Sequence, residues 1–273
     1  MNSVSSRIAC CIMSWRSPRT LAATLETYQK QNLFSHFGEV LVLFQEISKV
    51  DREIAGKYNL PYIETSENIG IYGGIKMLAE LVRSDYVLLL ENDCILIEPE
   101  SEVMSQLERA VERLARGEVD CYRLRHRWQP GEKFNTVDKY RRYHLDRGEE
   151  FNLLKYILRH IRPDKYRRLI GTAPYVHEDP KGYLYDKYIK KQLEGDFIID
   201  SAILPWTNQS VLCNRKWLTL ELLPYVAAHP SNRTVNGFQD VEKSLNCRWW
   251  REQHFKIGLG LGLFSHRRLD GNN

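Results

Sequence analysis

The sequence predicts a single α/β domain whose central sheet is mainly parallel and flanked by helices. The first observation is alternation, because short apolar runs and stretches with helical spacing follow one another from residue 7 to residue 117. The second is the run VLLL at 87–90, which is apolar at every position, as in a strand covered on both faces. The third is size, since 273 residues with 43% hydrophobic and 27% charged side chains suit one large globular domain.

The first half of the chain alternates regularly between strands and helices. Strands are expected at 7–13, 39–44, 60–65 and 86–91. Helices are expected after Ser17-Pro18, at 48–58, around Ile75, Leu78, Ala79 and Val82, and from Ser101, as N-cap, to Gly117, with the apolar face Met104, Leu107, Val111 and Leu114. Such alternation implies right-handed crossovers and a parallel sheet, whose ligands bind beyond the carboxyl ends of the strands.

The second half is less regular. The expected elements are a strand at 121–128, one or two strands leading into a helix at 203–223, a helix at 238–253, and either an irregular segment or a final strand at 256–266. Neither an internal repeat nor a low-complexity linker divides the chain, which favours one domain with two halves, about 1–120 and 121–273.

Charge and cysteine usage limit the class of protein. The formal net charge of +4 is too small to imply nucleic acid, and no apolar run approaches the ~20 residues of a membrane span. The N-terminus lacks the pattern of a signal peptide. The six cysteines form no C-x-x-C pair, and a reduced, cytoplasmic protein is the simplest account of them.

Residues 139–168 are more basic than the rest, with ten Lys or Arg against four Asp or Glu. The overlapping stretch 151–169 combines apolar and basic residues at helical spacing. It suits contact with an anionic membrane or with a phosphorylated, lipid-linked acceptor. The alternative is an ordinary surface helix whose apolar side packs on the core.

Two carboxylates, Glu91 and Asp93, follow the strand at 86–91 and are separated only by Asn92. Carboxylates are rarely buried without a partner, so this strand end is expected to face a crevice. Paired carboxylates suit a hard divalent cation with oxygen ligands, and such a cation commonly neutralises phosphate charge. The alternative is a strand-end turn with solvated acids.

Three further stretches stand in order around this motif. Upstream is ENIGIYGGIKML (67–78), in which glycines open a helix whose N-terminus favours an anion. Downstream are NGFQDVEKSLN (236–246) and GLFSHRRLDG (262–271). Each has an ordinary alternative: a turn before a helix, an Asp that caps a helix, and a surface or core histidine.

Together these stretches resemble the GT-A-fold glycosyltransferases that use nucleotide sugars, particularly glycosyltransferase family 2 and its relatives. The resemblance covers roughly residues 7 to 266 and places the family's D-x-D motif at Glu91-Asn92-Asp93. It implies that Asp93 and His266 bind Mn²⁺ or Mg²⁺ on the donor diphosphate, and that Glu91, in a place where Asp is usual, acts through water or the ribose. It also implies that Asp240 removes the proton of the acceptor hydroxyl, with Gln239 where the family usually has Glu.

The remaining implied donor contacts lie on the first three strand ends and the glycine-rich stretch. They are Ser14, Trp15 and Arg16 at the start of the nucleotide pocket, Gln45 and Glu46 at the base or ribose, and Asn68, Gly70, Gly73, Gly74 and Lys76 beside the diphosphate. Trp15 suits stacking on a base but equally suits a core position.

The resemblance implies an inverting transfer of sugar, with UDP as the family's commonest nucleotide, to a hydroxyl of a glycan or glycolipid. The residues 1–120 would bind the donor and 121–273 the acceptor. Two alternatives stay open: a retaining transferase of the same fold, and an inactive module that binds nucleotide sugars.

Overall fold

The computed structural model describes residues 7–132, 134–180 and 187–270. Its strands are β1 Ile8–Trp15, β2 Glu39–Gln45, β3 Tyr62–Thr65, β4 Tyr86–Glu91, β5 Cys94–Leu96, β6 Cys121–Arg125, β7 Ile189–Lys191, β8 Phe197–Asp200, β9 Val211–Asn214, β10 Thr234–Val235, β11 Phe238–Gln239 and β12 Lys256–His266. Its α-helices are α1 Pro18–Lys30, α2 Lys49–Lys57, α3 Gly70–Leu81, α4 Glu100–Ala115, α5 Asn135–Arg141, α6 Leu153–Ile161, α7 Pro163–Leu169, α8 Arg215–Trp217, α9 Leu223–Ala228, α10 Val241–Leu245 and α11 Arg248–Glu252. A π-helical turn, Leu218–Leu222, joins α8 to α9, and short 3-10 helices span Leu33–His36 and Ile170–Tyr175.

One mixed sheet of ten strands runs through both halves of the described chain, in the order β3-β2-β1-β4-β9-β6-β12-β8-β7, with β5 paired to β12. β1, β2, β3, β4, β6, β7 and β12 run in one direction, and β5, β8 and β9 run in the other. The predicted α/β architecture with a mainly parallel sheet in a single domain is therefore confirmed. The strands β3, β2, β1 and β4 of the first half lie side by side, and β9, β6, β12, β8 and β7 of the second half continue the sheet from β4. Only β5, of the first half, pairs with a strand of the second half away from this boundary.

Alternation of side chains along each strand divides the core into two layers. Ala9 and Cys11 of β1 pack on the face covered by α3 and the C-terminal helices, whereas Cys10 and Ile12 pack on the face covered by α1, α2 and α4. The two layers explain why β1 and β4 are apolar at nearly every position. All six cysteines are free thiols, and five of them are buried.

The run at 256–266 forms a strand, β12, and its glycines are explained by the close approach of the neighbouring strand β6. A Cβ on Gly258 would lie 2.2 Å from the ring of Tyr122, and one on Gly260 would lie 2.8 Å from the Tyr122 hydroxyl. Positions 258 and 260 of β12 are therefore glycine because the buried Tyr122 of the neighbouring strand β6 occupies the space of their side chains.

Several local predictions were wrong. α4 begins at Glu100 with Pro99 at its N-cap, so Ser101 lies inside the helix, and Val103 rather than Met104 is buried on its core side. The residues 238–253 form two short helices rather than one, because Asn246 and Cys247 interrupt them. By contrast, the stretch 203–223 contains one strand, β9, which leads into helical turns, as one of the two expected arrangements had it. No pattern in the sequence indicated β5, β7 or β8.

A stack of aromatic rings holds together the helical segment between β6 and β7. His144 is buried between Tyr140 of α5, at 4.3 Å between ring centres, and Tyr166 of α7, at 4.2 Å. Its Nε2 lies 2.9 Å from the carbonyl oxygen of Tyr166. Burial lowers the pKa of His144 to about 4, so the ring is neutral in the folded protein at neutral pH.

This histidine should make the protein sensitive to acid. The unfolded chain binds a proton at His144 near pH 6.5, whereas the folded protein does so only near pH 4, so stability is lost as the pH falls between these values. The loss amounts to about 3 kcal/mol for this group. When urea unfolding is measured at pH 7 and pH 4.5, the free energy of unfolding should differ less between the two pH values for His144→Phe than for wild type.

The matched control is His160→Gln, which changes an exposed histidine of α6. Its stability difference between the two pH values should equal that of the wild type. An unchanged pH dependence in His144→Phe would mean that other groups cause the acid sensitivity.

Candidate active site

The carboxyl ends of β1, β2 and β4 meet at one edge of the sheet because the three strands are parallel neighbours. The chain leaves β4 at Asn92, whose backbone N–H donates to the carbonyl of Met13 at 3.0 Å. The Asn92 side chain donates to the hydroxyl of Ser14 at 3.3 Å, and both residues are buried. These two predicted donor contacts therefore hold β1 and β4 together at the rim of the crevice.

Asp93 is buried beside His266, although 173 positions separate the two residues in the sequence. Oδ1 of Asp93 lies 3.3 Å from Nδ1 of His266, and Oδ2 lies 3.0 Å from a guanidinium nitrogen of Arg268. The backbone N–H of Arg267 also donates to the carbonyl of Asp93 at 2.9 Å. The two residues that were predicted as metal ligands thus lie side by side.

The donor set of this cluster fits a divalent cation. Oδ1 of Asp93 is buried and, apart from its ion pair with His266, makes no hydrogen bond of good geometry among the described residues. Ligand atoms of Asp93, Cys94 and His266 all lie within 4.8 Å of one another. Burial acts to raise the pKa of Asp93, but His266 and Arg268 outweigh it, so the pKa lies below its usual value and the carboxylate is charged at neutral pH. A charged carboxylate and an imidazole are suitable ligands for Mn²⁺.

Glu91 lies in an unfavourable electrostatic environment. Burial, followed by the negative charges of Asp93 and Glu242, raises the pKa of Glu91 to about 8, while Arg268 and Arg125 oppose this shift. The carboxyl group is therefore largely protonated at neutral pH in the absence of a further cation. A cation arriving beside these carboxyl groups would favour the charged form of Glu91 and lower its pKa.

A second cluster lies past the ends of β1 and β2, where Glu46 contacts several of the residues that were predicted to bind the donor. Its Oε2 accepts hydrogen bonds from the indole nitrogen of Trp15 at 2.9 Å and from Nε of Arg16 at 2.5 Å. The indole bond, followed by Arg16 and the backbone of Asn68, lowers the pKa of Glu46 despite partial burial. Glu46 therefore orients Trp15 and Arg16, and the Trp15 side chain is only partly buried, so it lies outside the core.

The glycine-rich turn before α3 is held by side chains from both sides. Oδ1 of Asn68 accepts from the backbone N–H of Gly70 at 2.8 Å, and Oε1 of the buried Gln45 accepts from that of Ile69 at 2.7 Å. A Cβ on Gly74 would lie 2.3 Å from the sulfur of Met13. Close packing of α3 on the sheet therefore accounts for this glycine without any ligand.

The other predicted residues of this stretch lie farther from the sheet. A Cβ on Gly73 would meet the side chain of Ile69 at 3.1 Å, which a small shift could relieve. Lys76 is exposed, and its Nζ lies 3.9 Å from Glu80 one turn later. The roles of Gly73, Gly74 and Lys76 in donor binding stay predictions.

Asp240 stands at the N-cap of α10. Its Oδ1 accepts from the backbone N–H of Lys243 at 3.1 Å, and its Oδ2 lies 3.3 Å from Nε of Arg233. Glu242 has a different setting, because its Oε1 accepts from the hydroxyl of Thr207 and the backbone N–H of Asn208, and its charge acts on Glu91. The helix thus offers two carboxylates, one in the capping position and one near the strand-end motif.

Sequence analysis missed three residues of the site. Arg268 pairs with Asp93, Cys94 completes the cluster of potential ligands, and Arg125 of β6 contributes positive charge near Glu91. Arg125 is buried against the ring of Phe134, 4.1 Å from its centre. Two successive arginines follow His266, and that pattern was the available signal for Arg268.

No protein-family model and no curated protein sequence matches the chain. Solved structures resemble it over nearly its whole length. Residues 1–349 of TarS from S. aureus match with a TM-score of 0.50 and 11% identity, over 95% of this chain and 60% of that one. Glucosyl-3-phosphoglycerate synthase from Mycobacterium tuberculosis, in complex with Mn²⁺, uridine diphosphate and phosphoglyceric acid, matches with a TM-score of 0.51 and 12% identity, over 96% and 71% of the two chains.

A mannosyltransferase from Pyrobaculum calidifontis, in complex with GDP-Man and Mn²⁺, matches at a TM-score of 0.48 and 10% identity over 93% of this chain. This chain spans 56% of that enzyme and 60% of the TarS fragment, so it corresponds to only part of each. At such low identity the similarity to TarS and to the mycobacterial synthase establishes the fold alone. The chain has the GT-A fold.

Gly70 should be essential to the packing at the pocket edge. It has a φ of +71°, and a Cβ there would lie 2.5 Å from Cβ of Phe238 in β11. Gly70→Ala should therefore cost both the left-handed backbone strain of about 1–2 kcal/mol and an overpacking penalty of about 1–3 kcal/mol. Urea unfolding measures the total.

Gly237→Ala is the matched control, because Gly237 has a φ of +84° but no atom lies within 4 Å of the place that its Cβ would take. Gly237→Ala should lower the free energy of unfolding only by the cost of the left-handed backbone strain. Equal losses in the two variants would show that β11 moves away from α3 without cost.

Proposed function

We propose that the protein is a metal-dependent glycosyltransferase that moves a sugar from a nucleoside diphosphate, most simply UDP, to a hydroxyl group with inversion at the anomeric carbon. The observation that carries the proposal is the buried pair Asp93–His266, which lies beyond the carboxyl ends of the parallel strands. The GT-A fold and the Mn²⁺ and uridine diphosphate named with the mycobacterial synthase support it.

Asp93 and His266 would hold Mn²⁺ or Mg²⁺. The cation, when bound, supplies positive charge that stabilises the diphosphate as it leaves the sugar. The pairing of Asp93 with Arg268 keeps the carboxylate charged and oriented for this task. Arg268 is partly exposed and carries its own positive charge at the same edge, so it also favours an anionic donor.

The nucleotide end of the donor would lie against the second cluster. Glu46 fixes Trp15 and Arg16, which offer an aromatic surface for a base and a cation for a phosphate or a polar ring edge. Asn68 and the N-terminal turn of α3 lie next to them, with Asn92, Gly70 and Ser14 at the rim. An N-terminal helix turn adds partial positive charge toward a diphosphate.

Asp240 is the proposed base that removes the proton of the acceptor hydroxyl, since an inverting transfer needs one positioned carboxylate. Its contacts with the backbone N–H of Lys243 and with Arg233 orient the carboxylate. Glu242, which the side chain of Thr207 and the backbone of Asn208 orient, is the competing candidate.

The acceptor is proposed to be a glycan or a lipid-linked sugar, bound mainly by residues 121–273, and the protein to act in the cytoplasm. The described part of the chain contains no helix that is both long and apolar enough to cross a bilayer. A retaining transfer would instead give a product whose anomeric configuration is the same as that of the sugar in the donor.

A thermal-shift panel of nucleotides and nucleotide sugars, with and without Mn²⁺, tests the proposal as a whole. A true donor should stabilise the fold by about 2.7 kcal/mol at a hundredfold excess over its dissociation constant. Stabilisation by a nucleotide sugar without slow donor hydrolysis would favour an inactive binding module, and the absence of any stabilising nucleotide would contradict the proposal.

Metal dependence can be measured directly. Calorimetry should show binding of UDP in Mn²⁺, loss of that binding in excess chelator, and recovery when Mn²⁺ is restored. His266→Ala should weaken the response to Mn²⁺, whereas His36→Ala, which removes a histidine paired with Glu100 elsewhere, should not. Equal affinity for UDP with and without chelator would rule out the metal assignment.

Three amide substitutions separate donor binding from proton removal. Asp93→Asn should weaken both donor affinity and turnover, because the carboxylate acts through the cation in the ground state and the transition state. Asp240→Asn should preserve donor affinity and lower turnover by about 10²–10⁴-fold. Asn retains the capping oxygen, so the fold should persist.

Glu242→Gln is the matched comparison on the same helix, since Gln keeps the acceptor oxygen used by Thr207 and Asn208. Its turnover should stay near that of the wild type. The reverse pattern, with a large loss in Glu242→Gln and none in Asp240→Asn, would assign the base to Glu242 and leave Asp240 as a helix cap.

A further inference from the structure

Helix α6 presents its apolar side to solvent. None of its residues is buried. Leu154 is 73% exposed and Ile161 67% exposed, and Phe151, just before the helix, is 70% exposed. A surface helix of a globular protein normally turns its apolar stripe toward the core. Positions 154, 157 and 161 lie on one side of the helix, so the exposed residues form a continuous apolar face.

The charged side of α6 faces the protein instead. Lys155 is largely covered and forms an ion pair with Glu149, in the turn before the helix. The guanidinium of Arg159, four residues later on the same side, lies 5.1 Å from the centre of the Tyr166 ring of α7. Leu158 packs against the core, but Leu154, Ile157 and Ile161 are exposed. The helix is therefore largely inverted relative to an ordinary surface helix, and the prediction that its apolar side as a whole packs on the core is wrong.

The surroundings of this face are strongly basic. Residues 139–168 contain ten Lys or Arg and four Asp or Glu, a net charge of +6, whereas the rest of the chain has 29 basic and 31 acidic residues, a net charge of −2. Arg142, Arg162 and Arg167 are exposed, and none of the three forms an ion pair within the described ranges. The positive charge of the protein is thus concentrated around the apolar face.

A cavity of about 430 Å³ opens beside α7. Arg167, Arg168 and Lys187 line it together with apolar groups such as Ile170 and Ala202, and no acidic side chain among the described residues lines it. The charge of Arg168 also lowers the pKa of the nearby Arg251, in addition to the effect of burial, so the cations here repel one another. This combination of apolar walls and unbalanced cations suits an anionic headgroup attached to an apolar chain.

We propose that the exposed face of α6, formed by Phe151, Leu153, Leu154, Ile157 and Ile161, docks on an anionic membrane surface, with Arg162, Arg167 and Arg168 against the lipid headgroups. The apolar side chains enter the boundary between headgroups and acyl chains, and the arginines bind the phosphates, as in helices that lie in the plane of a membrane. This proposal does not depend on the glycosyltransferase activity.

Charge favours a lipid surface over a second copy of the chain as the occupant. A twofold self-interface on this face would bring the +6 segment of one copy against the same segment of the other. Such an arrangement places like charges opposite each other, whereas an anionic bilayer complements them. The contacts of α6 with the rest of the protein include those of Lys155, Arg159 and Leu158, and none of these residues belongs to the exposed face, so docking needs no rearrangement.

Flotation of the full chain with lipid vesicles tests the proposal. The protein should float with vesicles of phosphatidylcholine mixed with phosphatidylglycerol at low salt, and not with phosphatidylcholine alone. Binding should fall steeply as salt rises, because the Debye length shortens from about 10 Å at 0.1 M to about 3 Å at 1 M. The double variant Leu154→Ser/Ile161→Ser should lower the partition coefficient by about tenfold or more.

Leu220→Ser is the matched control, because Leu220 is 71% exposed in the π-helical turn, away from α6. It should float like the wild type. Arg167→Gln/Arg168→Gln should reduce binding to the mixed vesicles while leaving the unfolding temperature unchanged, which separates lost docking from lost folding.

Two results would overturn the proposal. One is the absence of flotation with mixed vesicles at low salt. The other is a wild-type dimer in light scattering that becomes a monomer in Leu154→Ser/Ile161→Ser, because the apolar face would then be a self-interface. Neither result bears on nucleotide binding, which the thermal-shift panel measures separately.

Discussion

The pairing of the short strand β5 with the last strand, β12, is the contact on which the candidate site depends. In this antiparallel register Cys94 lies opposite His266, and the backbone of Arg267 bonds the carbonyl of Asp93. Backbone hydrogen bonds therefore bring His266 and Arg268 to the end of β4. Without them Asp93 would be a buried carboxylate lacking a counter-charge, which is costly in a protein interior.

The same contact gives the site its electrostatic character. Three carboxyl groups, on Glu91, Asp93 and Glu242, interact near the strand ends, and the nearby cations are Arg125, Arg268 and, when protonated, His266. The raised pKa of Glu91 and the lowered pKa of Asp93 show that the protein does not balance these charges evenly. Shifted pKa values of this kind are common at functional sites, where charged groups are placed for chemistry at the expense of stability. A divalent cation is the natural complement of this arrangement.

The helical segment between β6 and β7 adds a second kind of surface. It is held together internally by aromatic contacts, with His144 stacked between Tyr140 and Tyr166 and with Tyr175 against Phe134 at 4.8 Å. Tyr140 and Tyr175 also belong to the core layer that packs on the sheet. Phe134 in turn lies under the guanidinium of Arg125, at the edge of the candidate active site. The segment is thus fixed without the exposed apolar residues of α6, which leaves these residues free to contact something outside the chain.

The sequence by itself determined the strands and helices of the first half, the GT-A-type order of its motifs and the position of the acidic strand end. These features are local: alternation along VLLL or helical spacing from Ile75 to Val82 reports which residues share a buried face. Only the tertiary structure decided that Arg268 joins His266 on Asp93, that Glu242 rather than Asp240 acts electrostatically on Glu91, and that the apolar side of α6 faces outward. Periodicity shows that a helix has two sides, but the partner of each side depends on contacts between residues far apart in the chain, which no local pattern encodes.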